Sequence, residues 1–224
     1  MIKICKLSRL FIIGSCLTLL VSGCLKKYNT TVALPEIGTA YNVIPGEIRE
    51  EFDSKMDIYE GTNPPDITCS FVIAEDYVLY SSDGVTGKFS DSYMKFYNKK
   101  GNRYQYREKQ NQSSSEASDV VVIGSGDRFT AYFTSNHVYE DGVTSCTTAD
   151  LISGIMTTNG VRDIKHAFIM LDKTDPTGRL MDENEFRVFY DKDGLASFVN
   201  WDDTKTNGKS DVRLEGKSNT ERIN

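Results

Sequence analysis

His137 and His166 are the chain's only histidines, so they are its only side chains whose ordinary titration falls near neutral pH. His137 sits in a turn-like stretch, Ser135-Asn136-His137-Val138, and the many serines and acids allow a Ser–His–Asp set to be drawn around it. No Gly-x-Ser-x-Gly elbow is present to expose a nucleophile, so no catalytic residue is assigned and the reading is non-enzymatic. Asp172, Asp175, Asp182, Glu183, Glu185, Asp191 and Asp193 offer carboxylate oxygens of the kind Ca²⁺ prefers. Asp191-Lys192-Asp193-Gly194 lacks the third acid, the correctly placed glycine and the closing glutamate of a calcium loop. A polar hairpin turn explains it, and no metal is expected. Aromatics are the stronger signal. Tyr93, Phe96, Tyr97, Tyr104, Tyr106, Phe129, Tyr132 and Phe133 alternate through consecutive segments. Such rings fill cores or pair across strands. If Tyr104, Tyr106, Phe129 and Phe133 line the inside of a closed sheet, they instead wall a cavity for a small apolar or amphipathic guest, oriented by tyrosine hydroxyls.

Five cysteines bring a second kind of chemistry. Lys3, Lys6 and Arg9 precede a 12-residue apolar run, Leu10 to Val21, which is well short of the roughly 20 residues a membrane-crossing helix needs. A cleaved signal peptide is the better reading. The run ends in Val21-Ser22-Gly23-Cys24, which resembles the lipobox of bacterial lipoproteins. That resemblance implies acylation of Cys24 (palmitate being the usual type of chain) and removal of residues 1–23. Several acyl chains, each CH₂ contributing roughly 0.8 kcal/mol, hold such a protein stably at a membrane. Leu25 follows the cysteine where an aspartate favours inner-membrane retention in proteobacterial lipoproteins. The expectation is therefore a cell-envelope protein on the outer membrane, facing the periplasm. Cys5 and Cys16 depart with the leader, which leaves Cys69 and Cys146. These two either form a disulfide in an oxidising compartment or stay buried as small apolar thiols. No Cys-x-x-Cys supports a zinc or redox motif.

Composition bounds the rest. The whole chain carries −6, and loss of the three leader cations takes the remainder to −9. No basic patch interleaved with aromatics marks a nucleic-acid surface, and no cofactor motif occurs. Residues 24–45 read as a lipidated tether, 46–200 as one β-rich domain, and 201–224 as a polar, disordered or loosely attached tail. Within the domain, Ile48, Phe52 and Met56 recur every four residues, which predicts a short helix over Gly46 to Tyr59. Gly61-Thr62-Asn63-Pro64-Pro65 ends it, because proline cannot donate into a helix.

From Ile67 the period changes from 3.6 to 2, as in Ile67, Cys69, Phe71 and in Phe129, Ala131, Phe133. Gly101-Asn102, Gly124-Ser125-Gly126-Asp127, Asp141-Gly142, Asn159-Gly160 and Asp193-Gly194 punctuate these segments with turn chemistry. Connections this short join antiparallel neighbours. The prediction is a mainly β protein: an antiparallel up-and-down barrel of about eight strands behind a short N-terminal helix. Asn111 to Ser118 reads as a polar loop.

The order of lipobox, tether, helix, turn and meander resembles the lipocalin-like lipoproteins of Bacteroidetes. The matching residues are Gly61 to Ile67, Leu180-Met181-Asp182-Glu183 before Phe186-Arg187-Val188, and Asp191 to Leu195. The resemblance implies a lipocalin-type barrel and no settled activity. The Gly-x-Trp of true lipocalins is missing, since the single tryptophan is Trp201. Two functional expectations follow. One is a membrane-anchored carrier of a small apolar or amphipathic molecule. The other is an accessory subunit of an envelope complex, bearing an exposed apolar patch and no cavity.

Overall fold

The structure, a computed structural model, describes residues 46–203. Cys24, the leader, the tether and the residues from 204 onward lie outside that range. The helix α1 spans Gly46–Lys55. Its period-four stripe is what buries it: Phe52 is fully enclosed, Met56 nearly so, and Ile48 packs beside them. The helix stops short of the predicted Tyr59 because the Tyr59 amide donates to the Thr130 hydroxyl at 2.8 Å instead of to a preceding helical carbonyl.

Eleven strands follow: β1 Thr62–Asn63, β2 Cys69–Ile73, β3 Asp76–Ser81, β4 Ser92–Lys100, β5 Arg103–Gln110, β6 Ser113–Ser125, β7 Arg128–Tyr139, β8 Ser145–Met156, β9 Gly160–Thr174, β10 Phe186–Asp191 and β11 Leu195–Phe198. Apart from β1, which runs parallel to β6, every pairing is antiparallel. Eight strands close a hydrogen-bonded ring in the order β2–β4–β5–β6–β7–β8–β9–β11 and back to β2. The long meander β4 to β9 is the part the alternation and the tight turns predict.

Closure itself is less simple than an up-and-down path. Strand β9 forks: its first residues, Gly160 to Arg162, pair with β11, whereas Lys165 to Ile169 pair with β10. Strand β10 in turn holds β3, so β3 and β10 form a flap beside the ring instead of belonging to it. Gly160 makes the lower junction feasible, since a Cβ there would overlap the carbonyl oxygen of Ala196 on β11.

Two apolar clusters lie on opposite faces of the sheet. Inside the ring, Ile67, Phe71, Met94, Phe96, Tyr104, Phe129, Phe133 and Ile164 pack with essentially no exposure. Outside, α1 covers a second cluster with Tyr132, Leu151, Ala167, Ile169, Phe186 and Val188. Phe52 meets Phe186 edge-on at 5.8 Å. The Gly61–Ile67 turn seals one end of the ring: Ile67 is fully buried, and its amide lies 3.4 Å from the Tyr104 hydroxyl.

Two predicted boundaries change. Ser113 to Ser118, read as a loop, is the start of β6, paired with β5 on one side and β7 on the other. Polar residues suit a strand there because the Ser115 hydroxyl is buried and donates to Glu108 at 3.1 Å. Trp201, assigned to a loose tail, begins a 3-10 turn, Trp201–Asp203, with the Lys109 ammonium 4.5 Å and the Lys95 ammonium 5.6 Å from its ring. Among the described residues no helix is long and apolar enough to cross a membrane.

Candidate functional site

Strand alternation decides which side chains enter the ring, and along each strand the inward series changes character. On β5 it runs Tyr104, Tyr106, Glu108, Gln110; on β7 it runs Phe129, Ala131, Phe133, Ser135, His137, Tyr139. On β8, running the opposite way, Ile152 gives way to Asp150, Thr148 and Cys146, and on β9 Ile164 gives way to His166, Phe168 and Met170. The register sets these side by side: Glu108 opposite Ser115, Ser115 opposite His137, and His137 opposite Cys146. One end of the interior is thus aromatic and the other polar.

The polar end holds a cavity of about 270 Å³. Its floor, next to the aromatic core, is formed by Tyr106, Ile152, Asp150 and His166. Phe89, Phe168, Phe189, Met170 and Met181 make apolar walls. At the mouth are Val85 from the β3–β4 connection, Asn111 and Gln112 from the β5–β6 turn, and Arg179 and Leu180 from the β9–β10 connection.

All four aromatics expected to bind a guest do face inward, and the structure separates them. Tyr106 lines the cavity and packs on Phe133 at 4.6 Å. Tyr104, Phe129 and Phe133 belong to the solid core and do not line this cavity, so of the four only Tyr106 is placed to meet a guest there. Their rings meet neighbours instead: Phe96 lies 6.4 Å from Tyr104 and 6.5 Å from Phe129. The Tyr104 hydroxyl points to Ile67 and Asp66, away from the cavity.

Cys69 and Cys146 are free thiols, so the disulfide alternative is corrected. They sit on β2 and β8 in separate clusters, Cys69 against the aromatic core and Cys146 beside Met170 and Met181. Burial pushes each thiol up to about 12.

The polar groups are organised into two networks. In the first, Asp150 accepts from the Ser135 hydroxyl at 2.8 Å and the Thr148 hydroxyl at 2.7 Å. His137 Nε2 lies 2.9 Å from both hydroxyl oxygens. The two hydroxyl oxygens also lie 3.0 Å apart, so their two protons are shared among the carboxylate, each other and Nε2, and the imidazole tautomer sets which way each bond runs. The carboxylate engages the hydroxyls instead of orienting the ring. The Ser–His–Asp set drawn from the sequence is therefore assembled in space, with the carboxylate on the hydroxyls and not on the imidazole. Burial holds Asp150 up at about 6, with the His137 charge and the two hydroxyl bonds opposing.

In the second network, His166 Nε2 and Asp76 Oδ1 are 2.9 Å apart, with Asp76 wholly buried. Burial works against the imidazolium, but the Asp76 carboxylate outweighs it and raises His166 above its ordinary value. The imidazole is stacked on Phe189 at 4.7 Å, and its other ring nitrogen has no partner among the described residues. Between the networks, Glu108 accepts from the hydroxyls of Ser92 and Ser115. Tyr106 is held well above the usual phenol range by burial first and then by the charges of Glu108 and Asp150. At the mouth, Arg187 pairs with Asp83 and Arg179 with Asp141. Among the described residues no group of three or more His, Cys, Asp or Glu side chains is placed to hold a metal.

Glu108, His137, Asp150 and His166 were not foreseen as site residues. Their signal is in the sequence all the same: Glu108, His137 and His166 fall in the same period-two phase as inward aromatics, two or four residues from one, while Asp150, on a strand without aromatics, shares the phase of Ile152. Compared with known protein families, curated proteins and solved structures, the chain matches none.

Proposed function

We propose that the chain is a non-enzymatic binding protein of the cell envelope, a lipocalin-like barrel that takes a small amphipathic molecule into the open end of its ring. Acylated Cys24 would keep it at the outer membrane, facing the periplasm. The observation carrying this reading is the cavity of about 270 Å³, whose aromatic and methionine walls converge on a few polar groups. Small-molecule sites have this composition, and their volumes begin at about 300 Å³. Capture would bury the guest's apolar part against Phe168, Phe189 and Met170, while the floor groups orient its polar end. The placement of the Asp150 carboxylate on the hydroxyls, away from the His137 ring, supports binding over hydrolysis.

The alternative, an accessory subunit working through its surface, has less support. Among the described residues the exposed large apolar side chains, Leu79, Val138, Val143 and Phe198, are spread over β3, β7, the β7–β8 turn and β11. The test is to purify the protein from its own host, denature it, and identify released small molecules by mass spectrometry against a mock purification. A reproducible compound released at up to one per chain is expected. Release of nothing, with a protein copurifying instead, would overturn the carrier reading in favour of the alternative.

A further inference from the structure

We propose that the open end of the ring selects a small organic cation: an amphipathic molecule whose polar end is an ammonium group, received between Glu108 and Asp150. This rests on the reading of the cavity as a ligand site and names the chemistry it takes.

The argument begins with charge. Four formally charged side chains other than histidine line the cavity: Arg179, Arg187, Glu108 and Asp150. The two arginines stand at the mouth, already matched by Asp141 and Asp83. The two carboxylates stand deeper, and among the described residues neither has a cation in an ion pair. Their partners are hydroxyls: Ser92 and Ser115 for Glu108, Ser135 and Thr148 for Asp150. A hydroxyl satisfies lone pairs but leaves the negative charge in place, and an enclosed charge without a counter-charge is costly. The other deep acid, Asp76, has its imidazole. His137 meets the Ser135 and Thr148 hydroxyls instead of either carboxylate, and His166 is taken by Asp76, so the floor carries more acid than paired base.

Shape and surroundings agree with charge. Glu108 and Asp150 line the same cavity as Tyr106, on neighbouring parts of the inward strand phase. The rings of Tyr106, Phe168 and Phe189 wall the same space, and aromatic faces attract an alkylammonium while sheltering its apolar part. The whole chain carries −6, which draws cations toward it. An anionic guest such as a fatty acid would bring a third negative charge beside two unpaired ones. A neutral guest would leave the imbalance untouched.

The test uses three probes of closely similar shape: 2-phenylethylammonium, 3-phenylpropan-1-ol and 3-phenylpropanoate. Each is titrated calorimetrically at neutral pH into the full chain in lipid nanodiscs, with empty nanodiscs subtracted. The cation is expected to bind at least tenfold more tightly than the other two, with the preference lost in Glu108→Gln and Asp150→Asn. Equal or tighter binding of the alcohol or the carboxylate would overturn the cation inference and leave the cavity reading standing. Binding of none of the three would overturn both. If neither variant folds, as judged by circular dichroism, the ranking of the three probes on the unaltered protein still decides.

Discussion

Within one ring, the same strands build two different interiors. Toward the turns after β4, β6 and β8, inward side chains are Phe71, Phe96, Tyr104, Phe129 and Ile164, packed together and buried. Toward the turns after β5, β7 and β9, the same inward phase carries Glu108, His137, Asp150 and Met170 around a cavity. Backbone geometry is shared, so the difference comes from side chains and from what covers each end. Ile67 and the Gly61–Ile67 turn seal the first, whereas β9 leaves β11 for β10 at the second and the ring splays. A ring can thus keep its stability and its binding chemistry at separate ends, with rigid aromatic packing holding in register the strands that present the polar groups.

The comparison can be broken most forcefully by truncating one phenylalanine at each end. Phe129→Ala, at a fully buried position, is expected to cost about 3–5 kcal/mol in urea unfolding. Phe168→Ala, on the partly exposed cavity wall, should cost about 1–2 kcal/mol while weakening ligand capture. Equal losses would mean that the open end is as tightly packed as the closed one.

Closure at the sealed end can be probed next. Gly160→Ala sets a methyl group against the Ala196 carbonyl and should destabilise by about 1–3 kcal/mol. The Phe198 amide, which donates to the Asn159 carbonyl at 3.2 Å, should then exchange with deuterium faster, with the amides of β8 little changed. An unchanged Phe198 amide would show that the β9–β11 junction does not hold the ring.

The smallest expected effect sharpens the electrostatics of the flap. Asp191 on β10 is nearly buried, neither of its oxygens has a hydrogen bond, and burial followed by the Asp193 charge pushes it up to about 7. Its native pKa lies above the unfolded value near 3.9, so ionising it costs stability progressively as pH rises from about 4 to 7. Asp191→Asn should therefore raise stability by about 1 kcal/mol at pH 8 and leave it unchanged below pH 4. Thermal melts at both pH values check this, and a loss of stability at pH 8 would show that the carboxylate is bound by a partner the geometry does not reveal.

Much of this architecture was legible in residue order. The period-four stripe of Ile48, Phe52 and Met56 locates α1, and the alternation in Phe129–Phe133 with Asp-Gly and Asn-Gly turns locates the meander. Ser113–Ser118 was not legible as strand, because a serine run signals water-facing loop unless a buried acceptor such as Glu108 waits for its hydroxyls. The site was legible only in half: inward aromatics were predicted, but Tyr106 alone among the four reaches the cavity.

What the sequence by itself determined is local: the helix, the turns, the alternation and the presence of aromatics in one strand phase. These follow from chemistry within a few residues, where period and turn preference act. Tertiary structure alone decided which end of the ring is filled and which is open. It also decided that Cys69 and Cys146 stay apart, that Asp76 finds His166 across 90 positions, and that β9 divides its partners between β10 and β11. Those outcomes depend on register, and register is fixed by the summed fit of every strand against its neighbours, a quantity that no single segment carries.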